Sequence, residues 1–337
     1  MSATSHALAP WLLRQLRQLL GQRGHAVLLA GPSGLGQYEL ALALARAWLC
    51  ERPTADGACG QCASCHAIDV RTHADLCALM PETLCMTLGW PIDESDQREI
   101  DDKKRKPSRF IRVEAARQAV AFTQTTSARG GLKVVMVYPA DRLNIEAANT
   151  LLKTLEEPSP GVRFVLATEA VHQLLPTIRS RCQTVQLGWP DPVEGREWLQ
   201  DHGGLSESAA MAWWQASGGR PDMALALAGS GLTPQQWLGL PHALARGDWT
   251  SLADQTPSAQ LDVLQKLCHD LMAHAAGATT RFFPAEHLPA PPPWRVLALW
   301  SRELTLAARS VEHPFQAGLL QEAWAARARE ALGTARR

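Results

Sequence analysis

The sequence predicts a parallel α/β domain followed by an all-helical half, and three observations carry that prediction. Short apolar runs alternate with helical segments through the first half. The loop after the first run has the spaced glycines of a phosphate cradle. No strand signal of comparable strength follows residue 190. At 337 residues, 46% hydrophobic and 20% charged, the chain has enough apolar mass for two or three domains.

The elements follow in order. Ala26–Ala30 (AVLLA) is a continuous apolar run ending at Gly31-Pro32, as expected of a strand buried on both faces. Glu39–Cys50, rich in Ala and Leu, reads as the helix that follows. Leu76–Met80 is a second strand. Lys133–Tyr138 (KVVMVY) is a stronger one, β-branched and stopped by Pro139. Asn144–Glu157 reads as a helix with Asn144 as N-cap and Pro158 as stop. Arg163–Thr168 and Gln183–Leu187 complete the strands. Gly188–Pro192 reads as a linker. Helices are expected near Val193–His202, Glu207–Ser217 and Asp222–Ala228. The remainder from Thr233 is helical, broken at the proline-rich turn Leu288–Pro293.

Pro91–Pro107 fits none of this. It holds Asp93, Glu94, Asp96, Glu99, Asp101 and Asp102 beside Arg98, Lys103, Lys104, Arg105 and Lys106, with only Ile92 and Ile100 as large apolar side chains. Such a segment cannot offset its ordering entropy by burial, so it is expected to be a solvated insertion. Its basic run sits among acids, which argues against a phosphate-binding patch.

Composition excludes several functions. Thirty-three Lys plus Arg balance thirty-three Asp plus Glu, so no net field favours nucleic acid or anionic lipid. No apolar run approaches the roughly 18 residues of a membrane span. Met1–Pro10 lacks the basic start and apolar stretch of a signal peptide, and a cytoplasmic location is expected.

Four of the eight cysteines fall between positions 50 and 65: Cys50, Cys59, Cys62 and Cys65. In a reducing compartment this Cys-x-x-Cys-x-x-Cys spacing points to metal rather than disulfides. Four thiolates would close a tetrahedral structural zinc site, with Cys50 returning from the helix end as the fourth ligand. His66 and His73 are the alternates. Cys77, Cys85, Cys182 and Cys268 read as isolated packed thiols.

Gly31-Pro32-Ser33-Gly34-Leu35-Gly36-Gln37-Tyr38 lies between a predicted strand and helix, the context of a P-loop. Gly31, Gly34 and Gly36 would let backbone N–H groups turn around phosphate oxygens. Two parts of the chemistry are missing. Gln37 stands where a lysine would reach the phosphates, and Tyr38 where a Ser or Thr would hold magnesium. The strand Lys133–Val137 runs into Tyr138-Pro139 where a metal-binding acid belongs. Asp141 comes about three residues late and reads as a cap of the next helix. The loop is therefore expected to be a scaffold that binds no ATP.

Beyond these residues, three stretches resemble the AAA+ subunits of the bacterial DNA polymerase III clamp loader. They are the cysteine cluster followed by Thr72-His73-Ala74-Asp75, the run from Asn149 to Pro158 (NTLLKTLEEP), and Thr177-Ile178-Arg179-Ser180-Arg181-Cys182. The likeness is strong over about residues 20–190 and architectural afterwards. It implies a RecA-like AAA+ domain at 1–187 with a zinc module at about 50–65. A small helical lid at 188–230 and a helical collar for oligomerisation at 231–337 would follow.

The departures at the P-loop and acidic positions imply the non-hydrolysing branch of this family. The resemblance further makes Arg181 an arginine finger offered in trans to a neighbour's ATP, with Arg179 as the alternative; the other reading of Arg181 is a structural arginine paired with a local carboxylate. Thr168 would occupy the strand-end sensor position. Gly218-Gly219-Arg220-Pro221 falls where relatives carry a second sensor arginine, although the proline favours a turn. The implied partners are ATPase subunits of gamma/tau type, a delta subunit, the sliding clamp, and primer-template DNA reached through the complex. Two rivals stand beside this reading: a motor ATPase using Gln37 and Asp141, and a stand-alone zinc-dependent DNA-binding protein.

Overall fold

A computed structural model describes residues 8–309, 311 and 317–333. The chain divides between Pro190 and Asp191 into two compact units.

The first unit contains, in order, α1 (Pro10–Leu20), β1 (Ala26–Ala30), α2 (Gln37–Leu49), α3 (Ala63–Asp69), β2 (Leu76–Leu79), α4 (Glu82–Leu88) and α5 (Glu94–Asp101). After these come α6 (Val113–Gln124), β3 (Lys133–Val137), α7 (Ile145–Glu156), β4 (Val162–Thr168), α8 (Pro176–Arg179) and β5 (Gln183–Gln186). The strands form one sheet in the order β2-β3-β4-β1-β5, every neighbouring pair parallel. All five predicted strands are present. Every residue of β1 and β3 is buried, which is why those stretches are apolar without alternation. β5 closes one edge and is polar and largely exposed, as an edge strand tolerates.

One face of the sheet, with Leu28, Val135, Val137, Phe164 and Leu166, shares a core with Ala116 and Ala119 of α6 and with Ala147, Leu151 and Leu155 of α7. Asn144 caps α7 as expected, its Oδ1 accepting the Ala147 N–H at 2.7 Å. Register aligns the strand ends: Ala30 pairs with Thr168 and with Gln186, and Val137 with Leu166. The loops after β1, β3 and β4 therefore meet at the carboxyl edge, where parallel sheets place their ligands.

The charged insertion is exposed, as expected, but it is ordered as a helix. Asp93 caps α5 by accepting the Ser95 N–H at 2.9 Å, and the helix buries none of its residues. Order comes from ion pairing instead. Arg105 forks onto both oxygens of Glu82 at 2.6 and 2.9 Å, and reaches Asp96 at 2.5 Å and Glu99 at 2.9 Å. Arg112 adds a second contact to Asp96 at 3.1 Å. Charges that composition counts as solvating are here matched around one guanidinium.

The second unit is helical throughout its described residues: α9 (Pro192–Gly203), α10 (Glu207–Ala216), α11 (Pro221–Ala228), α12 (Pro234–Ala245), α13 (Pro257–Ala275), α14 (Trp294–Ala308) and α15 (Ala317–Gly333). One hydrophobic core runs through it from Leu199 to Leu332. Trp237 stacks on Phe283 at 4.8 Å and meets the edge of Trp213 at 6.2 Å, so these tryptophans are packing residues. Asp270, fully buried, accepts the backbone N–H groups of Arg281, Phe282 and Phe283 and so fixes the turn after α13. Gly218 and Gly219 both adopt positive φ, and Arg220 stands at the N-terminal boundary of α11 while its Nε donates to the Ser217 carbonyl. The glycine pair is thus a turn. Among the described residues no helix is long and apolar enough to cross a membrane.

Candidate functional site

The loop from Gly31 to Gly36 has the backbone of a phosphate cradle. Gly34 and Gly36 sit at φ 86° and 88°, which a side chain would strain. The cradle is nevertheless filled from within. The Gln37 side chain turns back into it, donating from Nε2 to the carbonyls of Gly31 at 2.9 Å and Pro32 at 2.7 Å. Its Oε1 accepts the Leu35 N–H at 3.3 Å, the type of donor a phosphate oxygen would use. Gln37 is only 2% exposed.

Apolar neighbours close the remaining space. A Cβ at Gly36 would stand 2.5 Å from Leu12 Cδ1, and one at Gly31 would stand 3.1 Å from Leu187 Cβ. Helix α1 and the end of β5 therefore press on the loop from two sides.

The two other substituted positions meet each other. Tyr38 and Tyr138 lie ring to ring at 5.4 Å. The Tyr38 hydroxyl accepts from Trp90 Nε1 at 2.8 Å, and the Tyr138 hydroxyl donates to Glu169 at 3.0 Å. Burial raises the Tyr38 phenol above its ordinary pKa, outweighing the Trp90 bond. An aromatic pair thus occupies the positions where a metal-binding hydroxyl and a metal-binding acid would converge. Asp141 is engaged elsewhere: its Oδ1 accepts from Thr168 Oγ1 at 2.6 Å and from the Glu169 N–H at 3.1 Å. It ties β3 to β4, whereas the sequence suggested a cap of α7, a role Asn144 performs. Thr168, fully buried, spends its hydroxyl on that bond.

The cysteine cluster assembles as the spacing predicts. The sulfurs of Cys50, Cys59, Cys62 and Cys65 all lie within 4.8 Å of one another. Cys50 Sγ is 3.8 Å from those of Cys62 and Cys65. A tetrahedron with Zn–S bonds of about 2.3 Å has edges of about 3.8 Å, so the cage has the size of a four-thiolate zinc site. Backbone N–H groups already point at the sulfurs, from Cys59 and Arg52 to Cys50 and from Cys65 to Cys62. Such donors stabilise thiolates. The Gln61 N–H draws the partly exposed Cys59 thiol down to about 6, while burial pushes the Cys65 thiol up to about 12. The cluster could therefore hold a metal ion, with its four ligand positions filled by protein.

Neither alternate histidine joins the cage. His73 is buried, its Nδ1 accepting the Asp75 N–H at 3.1 Å. Glu51, next to Cys50, accepts from the Ser64 N–H and hydroxyl and from Arg129 Nη1 at 2.8 Å, which ties the module to the loop before β3. Buried Asp75 anchors that loop through Ser127, Ala128 and Arg129. The other four cysteines are free thiols, with Cys77 and Cys85 raised by burial to about 11 and Cys182 and Cys268 to about 12.

Arg181 lies just beyond α8, 28% exposed. Its Nε and Nη2 both donate to Glu156 Oε2, at 3.0 and 2.6 Å, and its Nη1 to the Thr177 carbonyl at 3.0 Å. Arg179 is exposed and has no carboxylate partner among the described residues. Sequence reasoning did not single out Glu156, Trp90, Leu12 or Leu187. Glu156 lay within the marked run ending at Pro158, and Leu187 at the end of a predicted strand.

A parallel sheet in the order β5-β1-β4-β3-β2, with a P-loop backbone after β1, defines a RecA-like domain of the AAA+ class. Residues 10–190 match the family model described as "DNA polymerase III, delta subunit". A relative from Pseudomonas aeruginosa, "DNA polymerase III subunit delta'", is 38% identical over 67% of this chain and 63% of its own length. One of the same name from Escherichia coli is 34% identical over 80% of this chain and 77% of its own. The chain thus spans less than two thirds of the Pseudomonas relative. It belongs to the delta-prime family of DNA polymerase III subunits. Among solved structures, a gamma-subunit-related protein from Thermotoga maritima aligns over 95% of this chain and 99% of its own, at 16% identity and a TM-score of 0.47.

Proposed function

We propose that this chain is a non-hydrolysing subunit of a cytoplasmic DNA polymerase III clamp loader, helping to place the sliding clamp on primed DNA. The observation that carries the reading is Gln37 bonded into its own P-loop. A loop whose donor and carbonyls are already engaged gains little from a triphosphate, and no lysine or magnesium ligand stands by to change that. The same bonds speak against the motor-ATPase alternative. Charge balance speaks against a stand-alone DNA-binding protein, because DNA affinity rests on an excess of cations.

In this reading the four cysteines hold a structural zinc, which supplies cross-linking and no chemistry. Residues 188–230 act as the lid and 231–337 as the collar against gamma/tau-type ATPase subunits and a delta subunit. Arg181 is the finger: a fixed cation brought to a neighbour's ATP to offset charge developing on the transferred phosphoryl group.

The test is ATP turnover by the reconstituted complex carrying Arg181→Ala. A fall in turnover at saturating clamp and DNA is expected, and unchanged turnover overturns the finger role. Equilibrium binding of ATP to the purified chain tests the scaffold role. Micromolar affinity would overturn it.

A further inference from the structure

We infer that Glu156 is a positioning residue for Arg181. This rests on the finger reading above. An arginine on a surface turn is a long chain with many rotamers, and a finger that must find its geometry at each encounter loses rate for every misplacement. Arg181 is not left to search. Helix α7 ends by presenting Glu156, and one carboxylate oxygen takes both the Nε and Nη2 protons along one side of the guanidinium. The Thr177 carbonyl takes a proton of Nη1.

A guanidinium has five N–H donors, and these contacts use three. One N–H remains on each Nη of a side chain that is still 28% exposed. N–H donors on both Nη atoms suit two oxygens of a phosphate. Glu156 therefore fixes the guanidinium while leaving a donor free on each Nη. Arg179, two residues earlier, has no such support, which distinguishes the two arginines by structure rather than by register. The ligand implied is a terminal phosphate supplied by another subunit.

The experiment compares ATP hydrolysis by the reconstituted complex with Arg181→Ala, Glu156→Ala, Glu156→Gln, Glu156→Asp and the Arg181→Ala/Glu156→Ala pair. Arg181→Ala gives the largest loss. Glu156→Ala lowers kcat roughly tenfold, with KM for ATP within about twofold, because misaimed groups cost rate more than binding. Glu156→Gln recovers most of the rate, since its amide oxygen still accepts from Nε and Nη2. Glu156→Asp, one methylene short of the guanidinium, falls with Ala. The double variant is no slower than Arg181→Ala alone.

Wild-type or faster turnover by Glu156→Ala, while Arg181→Ala is slow, overturns the positioning role and leaves the finger standing. Additive losses in the double variant also overturn it, because Glu156 would then act through something else. Wild-type turnover by Arg181→Ala removes the finger and this inference together. Glu156 is exposed, so the variants are expected to fold, and co-elution with the other subunits checks assembly.

Discussion

Replacing Gln37 by Met separates hydrogen bonding from packing at the filled P-loop. The two side chains are close in volume, so the buried space Gln37 fills stays occupied. What disappears are three bonds, to the Gly31 and Pro32 carbonyls and from the Leu35 N–H. Leu35 is 1% exposed and cannot turn to water. At about 1 kcal/mol net for each bond, the loss is about 3 kcal/mol. For a unit of this size the melting point falls by about 2–4 °C per kcal/mol, or roughly 6–12 °C. Calorimetry of the full chain reads it as a shift of the first unit's transition, with the all-helical unit as internal control. A shift under about 2 °C would refute the claim that Gln37 holds the loop. The variant should bind ATP no better than the parent chain, since Met supplies neither the cation nor a metal ligand.

Other outcomes follow from the same structure. Replacing Cys59 or Cys65 by Ser should lower bound zinc from one per chain to none by elemental analysis, with faster amide exchange across residues 50–69. The change should reach Arg129, whose partner Glu51 adjoins Cys50. Burial raises the Glu82 pKa, but its bonds to Arg105, the Ser108 N–H and Arg112 prevail and hold it below the ordinary value. A depressed carboxylate contributes stability that is fully present above its unfolded pKa and is lost as pH falls through the folded one. Exchange protection of α5 should therefore persist at neutral pH and fade in acid below the ordinary glutamate range. Glu82→Gln should lose it at every pH. Substituting Tyr138 by Asp should not restore magnesium binding, measured by titration calorimetry, because Tyr38 and Trp90 still occupy the other side.

The strands were legible because both-face burial demands unbroken apolar runs, as in AVLLA and KVVMV, and because Gly31 and Pro139 punctuate them. The cysteine cage was legible because three of its ligands are local in sequence. The charged insertion is solvated as expected, but its order was not legible, for a definite reason. Composition weighs a segment against water, whereas its helix is tied through Arg105 to Glu82, which stands 23 residues earlier and outside the segment. Asp141 was likewise assigned to the nearest helix, although its partner Thr168 lies 27 residues away on the neighbouring strand.

By itself the sequence determined that a phosphate loop had lost its lysine, its metal ligand and its acid, since those are matters of residue identity at fixed spacing. It could not determine what replaced them. That Gln37 turns inward, that Tyr38 and Tyr138 face one another, and that Glu156 aims Arg181 depend on side-chain direction across strands and helices distant in the chain. Local propensity sets the backbone, but which polar groups satisfy which is decided only when folding brings separate segments within about 3 Å.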